Sequence, residues 1–211
     1  AYAAICDEGN LHKIAYRLSD GEFKRVLDFL CHGNTVFERA IRLRDRYQLS
    51  RDDGSVKSIR FINQADWCLN EFQVTHQVSS HDTKKNSRKT RFDVTLLING
   101  LPLVQIELKR SGVEIKEAYN QIDRYHRDSY WNGRGLYLFT QMYVISNGVN
   151  TKYFANNHQA SFDFTFFWAD KDNTIYSNLH EFSSHFLRPC HVAKMITHYT
   201  VLHQSDKCLM L

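Results

Sequence analysis

Residues 91–110 read R-F-D-V-T-L-L-I-N-G-L-P-L-V-Q-I-E-L-K-R, with apolar residues recurring at every second position on both sides of an Asn-Gly pair. Side chains alternate faces along a strand, so this pattern predicts a β-hairpin. On the first arm Phe92, Val94, Leu96 and Ile98 share one face, and Asp93, Thr95 and Leu97 the other. On the second arm Val104, Ile106 and Leu108 form the apolar row, opposed to Leu103, Gln105, Glu107 and Lys109. A two-residue Asn99-Gly100 loop would pair Asp93 with Ile106 and mix the faces. A three-residue loop through Leu101 pairs Val94 with Ile106, Thr95 with Gln105, Asp93 with Glu107 and Phe92 with Leu108. Only this register keeps one face wholly apolar, and it is the one expected.

The exceptions to the pattern carry the chemistry. Asp93 and Glu107 would face each other with Cβ atoms roughly 5 Å apart, where like charges destabilise a sheet. A hard divalent cation held by carboxylate oxygens, Mg²⁺ above all, suits such a pair. Lys109, two residues beyond Glu107, projects from the same face. Two carboxylates, a metal and a lysine are the minimal kit for metal-assisted phosphodiester hydrolysis. The plain alternative is a solvated hairpin face with a surface ion pair between Glu107 and Lys109.

Charge points the same way through its distribution, not its total. The net charge is only +4, but Lys84, Lys85, Arg88, Lys89 and Arg91 crowd just before the Asp93 strand. Arg39, Arg42, Arg44 and Arg46 cluster on a predicted helix. Basic groups beside an acidic site suit a polyanion such as DNA. The five cysteines are odd in number, widely spaced and without C-x-x-C, which predicts neither a disulfide framework nor a zinc knot and places the chain in a reducing cytoplasm. Eleven histidines form no H-E-x-x-H or H-x-H motif, and no G-x-S-x-G elbow occurs. No apolar run of about 18 residues exists, so no membrane association is expected.

Phe23, Val26, Leu27 and Leu30 are spaced for an amphipathic helix that Gly33 and Asn34 end. Thr35 and Glu38 read as a capping box opening a second helix. Residues 72–79 alternate as a strand that should pair with the Asp93 strand, placing His76 beside Phe72 and Val74 as a partly buried histidine. A helix is expected over 114–126, strands over 136–146 and 152–155, a shorter strand or ribbon over 162–168, and helices from 179 broken at Arg188-Pro189. Gln121 and Tyr125 lie one turn apart on the 114–126 helix.

Asp93 followed by Glu107-Leu108-Lys109 resembles the PD-(D/E)xK nuclease signature. The fuller wording, F-D-V-T-L-L-I-N-G-L-P-L-V-Q-I-E-L-K, then Gln121 to Tyr125, then V-I-S-N-G-V at 144–149, resembles the restriction (motor and nuclease) subunit of type I restriction–modification enzymes. Phe92 stands where that family usually has proline. The resemblance implies an α/β, restriction-endonuclease-like fold, a central mixed sheet flanked by helices. It implies a nuclease domain over 1–178, with 1–34 as a helical lead-in and 179–211 as a helical linker toward a helicase-like motor, the chain stopping about where that motor would begin. It further implies a Mg²⁺-dependent endonuclease acting on double-stranded DNA. Asp93, Glu107 and the Leu108 carbonyl would hold the metal, Lys109 would position the attacking water, Gln121 and Tyr125 would support the site, and Glu38 would be an additional acidic residue. Lys84, Lys85, Arg88, Lys89 and Arg91 would contact DNA. Partners would be methyltransferase and sequence-specificity subunits and the chain's own motor. No G-x-x-x-x-G-K-[ST] loop is present, so ATP would serve only the motor-bearing protein. The rival readings are a non-catalytic DNA-docking domain with a nuclease fold and the nuclease of a repair helicase.

Overall fold

The computed structural model describes residues 6–7, 18–80, 90–126, 135–157 and 161–211. A short strand, β1 (Cys6–Asp7), precedes two capped helices. Ser19 and Glu22 form a reciprocal capping box that opens α1 (Asp20–Leu30), and Thr35 and Glu38 do the same for α2 (Val36–Arg44). Each box satisfies backbone N–H groups that a helix start otherwise leaves without partners. Two strands absent from the sequence reading follow, β2 (Arg46–Ser50) and β3 (Val56–Arg60); with β1 they form a three-stranded antiparallel sheet.

The central sheet has five strands in the order β4 (Phe72–Ser80), β5 (Thr90–Ile98), β6 (Leu101–Leu108), β7 (Met142–Ser146) and β8 (Thr151–Ala155). It is mixed: β6 and β7 run parallel, and the other neighbours are antiparallel. A parallel pair needs a crossover, which α3 (Ile115–Tyr125) supplies. Ala118 and Ile122 of α3 pack on Tyr143, Ile145 and Phe154. The other face of the sheet, with Val104, Ile106 and Val144, packs on Val26, Leu30 and Leu43 of α1 and α2. Helices therefore cover both faces, and the Asp93 face is not solvated: Thr95, Gln105 and Glu107 are all buried.

As far as Val94 and Ile106 the hairpin reaches the expected register by an unexpected route, but the expected Asp93–Glu107 and Phe92–Leu108 pairs lie outside the ladder. Val94 pairs with Ile106 and Thr95 with Gln105, but Leu97 pairs with Pro102 and Ile98 with Leu101. The loop is the two-residue Asn99-Gly100 turn, both residues having positive φ (52° and 77°). One extra residue at Leu103 forms a β-bulge that restores the pairing, which is why Leu103 and Val104 both enter the same core. Asn99 fixes the turn in the protein, donating to Phe61 O at 3.0 Å and Asn70 Oδ1 at 2.8 Å, and accepting from Glu71 N at 2.8 Å.

Other expectations are corrected. Residues 136–139 form a 3₁₀ turn (Leu136–Phe139), so β7 starts only at Met142. Phe162–Phe164 is also a 3₁₀ turn, and Phe166 makes a single bridge to Tyr153. His76 is exposed, because β4 is the edge of the sheet. After α4 (Leu179–His185), α5 (Pro189–Lys194) passes into a π turn (Met195–Tyr199), and the chain closes with a hairpin of β9 (Val201–His203) and β10 (Cys208–Met210). The segment 179–211 is thus not all helical, and Phe182, Phe186, Val192 and Ile196 belong to the main core. Cys68 and Cys190 are joined by a disulfide, contrary to the expectation of none; 122 residues separate them in sequence, and spacing alone cannot reveal that α5 lies against the turn holding Cys68.

Candidate active site

The last paired residues of the β5–β6 ladder on the side away from the turn are Val94 and Ile106. Beyond them their ladder ends, while β6 keeps pairing with β7 to Leu108 and Ser146 and β5 keeps pairing with β4 to Thr90. Asp93 bridges the opening with its side chain: its Oδ2 accepts from the Leu108 N–H at 2.9 Å. Leu108 thus meets Asp93 through its N–H. The Lys109 N–H donates to Ser146 O at 2.7 Å, anchoring the end of β6 to β7.

Glu107 is the electrostatic anomaly of the site. It is 0 % exposed, and its Oε2 has no hydrogen-bond donor among the described residues. Its Oε1 accepts from Lys109 Nζ at 3.2 Å. Burial, followed by the neighbouring charge of Asp93, pushes its pKa up to about 8, although Lys109 pulls the other way. The expected ion pair between Glu107 and Lys109 exists, but its acidic half is in the interior and not on a solvated face.

Lys109 is tethered from the helix side. Its ammonium donates to Gln121 Oε1, Gln121 Nε2 donates to the Tyr125 hydroxyl, and that hydroxyl donates to Arg91 O at 2.8 Å. One chain of hydrogen bonds therefore ties β6, α3 and β5 around the carboxylates. Burial holds the Tyr125 hydroxyl protonated, its pKa pushed up to about 12, with Glu107 and Asp93 adding to the effect. Among the described residues Lys109 donates to Glu107 and Gln121, which leaves one of its three N–H groups for a water or a phosphate oxygen.

The sequence-predicted residues divide accordingly. Asp93, Glu107, Leu108, Lys109, Gln121 and Tyr125 come together. Arg91 is exposed at the edge of the group and contributes its backbone carbonyl. Lys84, Lys85, Arg88 and Lys89 lie outside the described residues. Glu38 is engaged at its own helix start, its Oε2 accepting from Asn34 N at 2.8 Å and Thr35 N at 3.1 Å. Its nearby cation is Lys207. Gly33 permits that fold-back: a Cβ there would lie 2.7 Å from the Glu38 Cβ. Nor do the α2 arginines form a free basic patch. Arg39 is buried, donating to Leu30 O at 2.7 Å over the Phe139 ring, and Arg44 bonds Ala40 O, Gln141 Oε1 and Ile196 O.

Two features escaped the sequence reading. Thr95 and Gln105, flanking the acidic pair on the same face, form a buried hydrogen bond of 2.8 Å; their pairing in the expected register was the available signal. Phe92 is buried as expected, but against Tyr125 and Tyr137, with centroids at 5.3 and 4.3 Å. Nothing local in the sequence marked Tyr137.

The family model described as type I restriction enzyme R protein N terminus (HSDR_N) matches residues 5–162. The chain belongs to this family. Among its curated relatives, a type I restriction enzyme endonuclease subunit of Staphylococcus saprophyticus is 47% identical over 194 residues, 92% of this chain and 20% of the relative. The EcoprrI endonuclease subunit of Escherichia coli is 39% identical over 181 residues, covering 83% of this chain and 56% of that protein. A putative endonuclease subunit of Methanocaldococcus jannaschii is 30% identical over 131 residues. This R-protein region thus spans about a fifth of the length of its staphylococcal relative. Among the described residues, no helix is long and apolar enough to cross a membrane.

The site suits a hard cation. Asp93 and Glu107 are oxygen donors, and the undonated buried Oε2 of Glu107 is a group that stays costly until something positive meets it.

Proposed function

We propose that this R-protein region is a Mg²⁺-dependent endonuclease domain that hydrolyses phosphodiester bonds of double-stranded DNA. In this reading it works within a longer subunit whose ATP-driven motor moves the DNA, alongside methyltransferase and sequence-specificity subunits. The observation that carries the reading is Glu107: a fully buried carboxylate with one oxygen undonated among the described residues, near the Asp93 carboxylate, with a tethered lysine beside it.

Asp93 and Glu107 would hold the ion, with the Leu108 carbonyl as a further oxygen. When bound, Mg²⁺ supplies Lewis-acid stabilisation of phosphate charge and lowers the pKa of the attacking water. The protein does the rest by positioning. The hydrogen bond from Leu108 N–H fixes the Asp93 carboxylate across the strand opening. The Gln121–Tyr125 chain holds Lys109 so that its remaining N–H can orient the water or neutralise a phosphate oxygen. Lys84, Lys85, Arg88, Lys89 and Arg91 would attract the DNA backbone.

The test is plasmid cleavage with Mg²⁺ by the full-length, motor-bearing subunit with its partner subunits and ATP, comparing wild type with Lys109→Ala. The expected result is a variant that still hydrolyses ATP and translocates but does not cut. Equal cutting by both proteins would remove the assignment and favour the docking-domain reading.

A further inference from the structure

A second cluster of ligand-type side chains lies on the C-terminal hairpin. His203 ends β9 and Cys208 begins β10, and the two are paired directly across the hairpin. Asp206 sits in the turn between them. His203 Nδ1 is 3.0 Å from Asp206 Oδ2, and one ligand atom from each of His203, Asp206 and Cys208 lies within 4.8 Å of the others. Close as it is, Nδ1 makes no well-aligned hydrogen bond to that oxygen: it is screened from solvent and without a hydrogen-bond partner among the described residues. Cys208 is buried and carries a free thiol. The one cation inside the turn, Lys207, acts electrostatically on Glu38.

We propose that His203, Asp206 and Cys208 form a binding site for a borderline-soft divalent transition ion, with Zn²⁺ as the reference ion. An imidazole nitrogen, a thiolate and a carboxylate are a mixed donor set that zinc accepts and Mg²⁺ does not favour, so this site is chemically distinct from the Asp93–Glu107 pair. Cross-strand pairing of His203 with Cys208 fixes two of the donors before any ion arrives, which lowers the ordering cost of binding. Three protein donors leave a fourth position. Asp206 and Cys208 also line a groove of about 290 Å³ with Asn157, Phe164 and Phe166, from which water or an anionic ligand would fill that position. The ion would clip β9 to β10 and hold Leu209 against Val36, Phe37 and Ala40 of α2.

The experiment titrates the EDTA-treated 211-residue chain with Co²⁺ as a spectroscopic probe and then with Zn²⁺. The expected result is one equivalent of Co²⁺ with a thiolate-to-cobalt charge-transfer band, displaced by Zn²⁺ and unaffected by excess Mg²⁺. Cys208→Ser and His203→Gln should abolish the band and weaken Zn²⁺ binding by more than the roughly 10–100-fold of losing an outer-shell partner. Cys31→Ser, which alters the other described free thiol, should keep it. Absence of the band in wild type, or its survival in both site variants, overturns the proposal. If circular dichroism shows that Cys208→Ser fails to fold, His203→Gln decides, since its partly exposed ring is replaceable without opening the core.

Discussion

Glu22 and Glu107 are both covered glutamates, 2 % and 0 % exposed, and their surroundings drive them in opposite directions. Glu22 accepts from Arg51 Nε at 2.9 Å, Arg51 Nη2 at 3.2 Å, Ser19 N at 2.9 Å and Asp52 N at 3.0 Å. Those donors, the Arg51 guanidinium first, lower its pKa to about 2. Glu107 lies deep in the sheet with one lysine on one oxygen and, among the described residues, no donor on the other, near a second carboxylate. The first is a solved structural problem, a thinly covered charge whose lone pairs are all answered. The second keeps one oxygen undonated among the described residues and holds its proton up to about pH 8, and the proposed metal reading rests on that difference.

The largest expected effect comes from removing the charge at each. Glu107→Gln should reduce DNA cleavage by the assembled enzyme by at least about 100- to 1,000-fold, the scale of losing one preorganised electrostatic contact in a transition state. It should leave the denaturation midpoint of the 211-residue chain unchanged below about pH 8, where the buried carboxyl is already largely neutral, and raise it above that, where a neutral amide replaces a buried charge. Glu22→Gln should do the reverse, lowering the midpoint while leaving the chemistry of the folded enzyme alone. Thermal melts and plasmid cleavage on both variants check the pair. A Glu107→Gln protein that melts early and cuts normally would erase the distinction.

The two glutamates also have opposite pH signatures. The folded pKa of Glu107 is above its ordinary 4.5, so its contribution to stability is fully present below pH 4.5 and is lost as pH rises toward about 8, at a cost of a few kcal/mol in the metal-free chain. The Glu22 pKa is depressed, so its contribution is present above pH 4.5 and is lost as pH falls toward about 2. Melts from pH 4 to 9 should show a decline that Glu107→Gln removes. Mg²⁺ should also reduce that decline, because binding to the carboxylates competes with their protons.

A smaller effect is expected one shell out. Tyr125→Phe removes the bond to Arg91 O and leaves Gln121 without its hydroxyl, so Lys109 keeps its charge but loses part of its tether. Cleavage should fall by roughly 10–100-fold, as outer-shell losses commonly do. The fall should appear in the cutting rate and not in DNA affinity, which filter binding alongside single-turnover cleavage would separate.

How much of this was legible follows from where the information sits. Strand alternation, the apolar spacing of Phe23, Val26, Leu27 and Leu30, the Thr35–Glu38 capping box and the i, i+4 pair on α3 are local patterns, and they gave the hairpin, α1, α2 and the convergence of Asp93, Glu107 and Lys109, whereas the Ser19–Glu22 box went unread. The bulge at Leu103 was not legible, because Asn99-Gly100 followed by a bulge and a three-residue loop produce the same register at the site. The burial of Glu107 was not legible either: that face reads as polar, and only the packing of α3 over it shows that it is dry. The Cys68–Cys190 contact and the arginines turned inward from α2 depend on contacts far apart in sequence, which composition cannot report.

The smallest expected effect concerns Glu38, whose acidity by itself would qualify it for the site. Gln also serves at the third position of a capping box, so Glu38→Gln keeps the hydrogen bonds to the start of α2 while removing the charge. Asn34, Thr35 and Lys207 surround that carboxylate, and its pKa is lowered by the backbone N–H of Asn34 first, which is a capping signature and the opposite of the shift at Glu107. The substitution should therefore change stability by only a few tenths of a kcal/mol, the scale of a surface charge near a helix N-terminus, and leave cleavage within about twofold. A hundredfold loss of cutting with an unchanged melt would move Glu38 to the metal and make the acidic set three carboxylates instead of two.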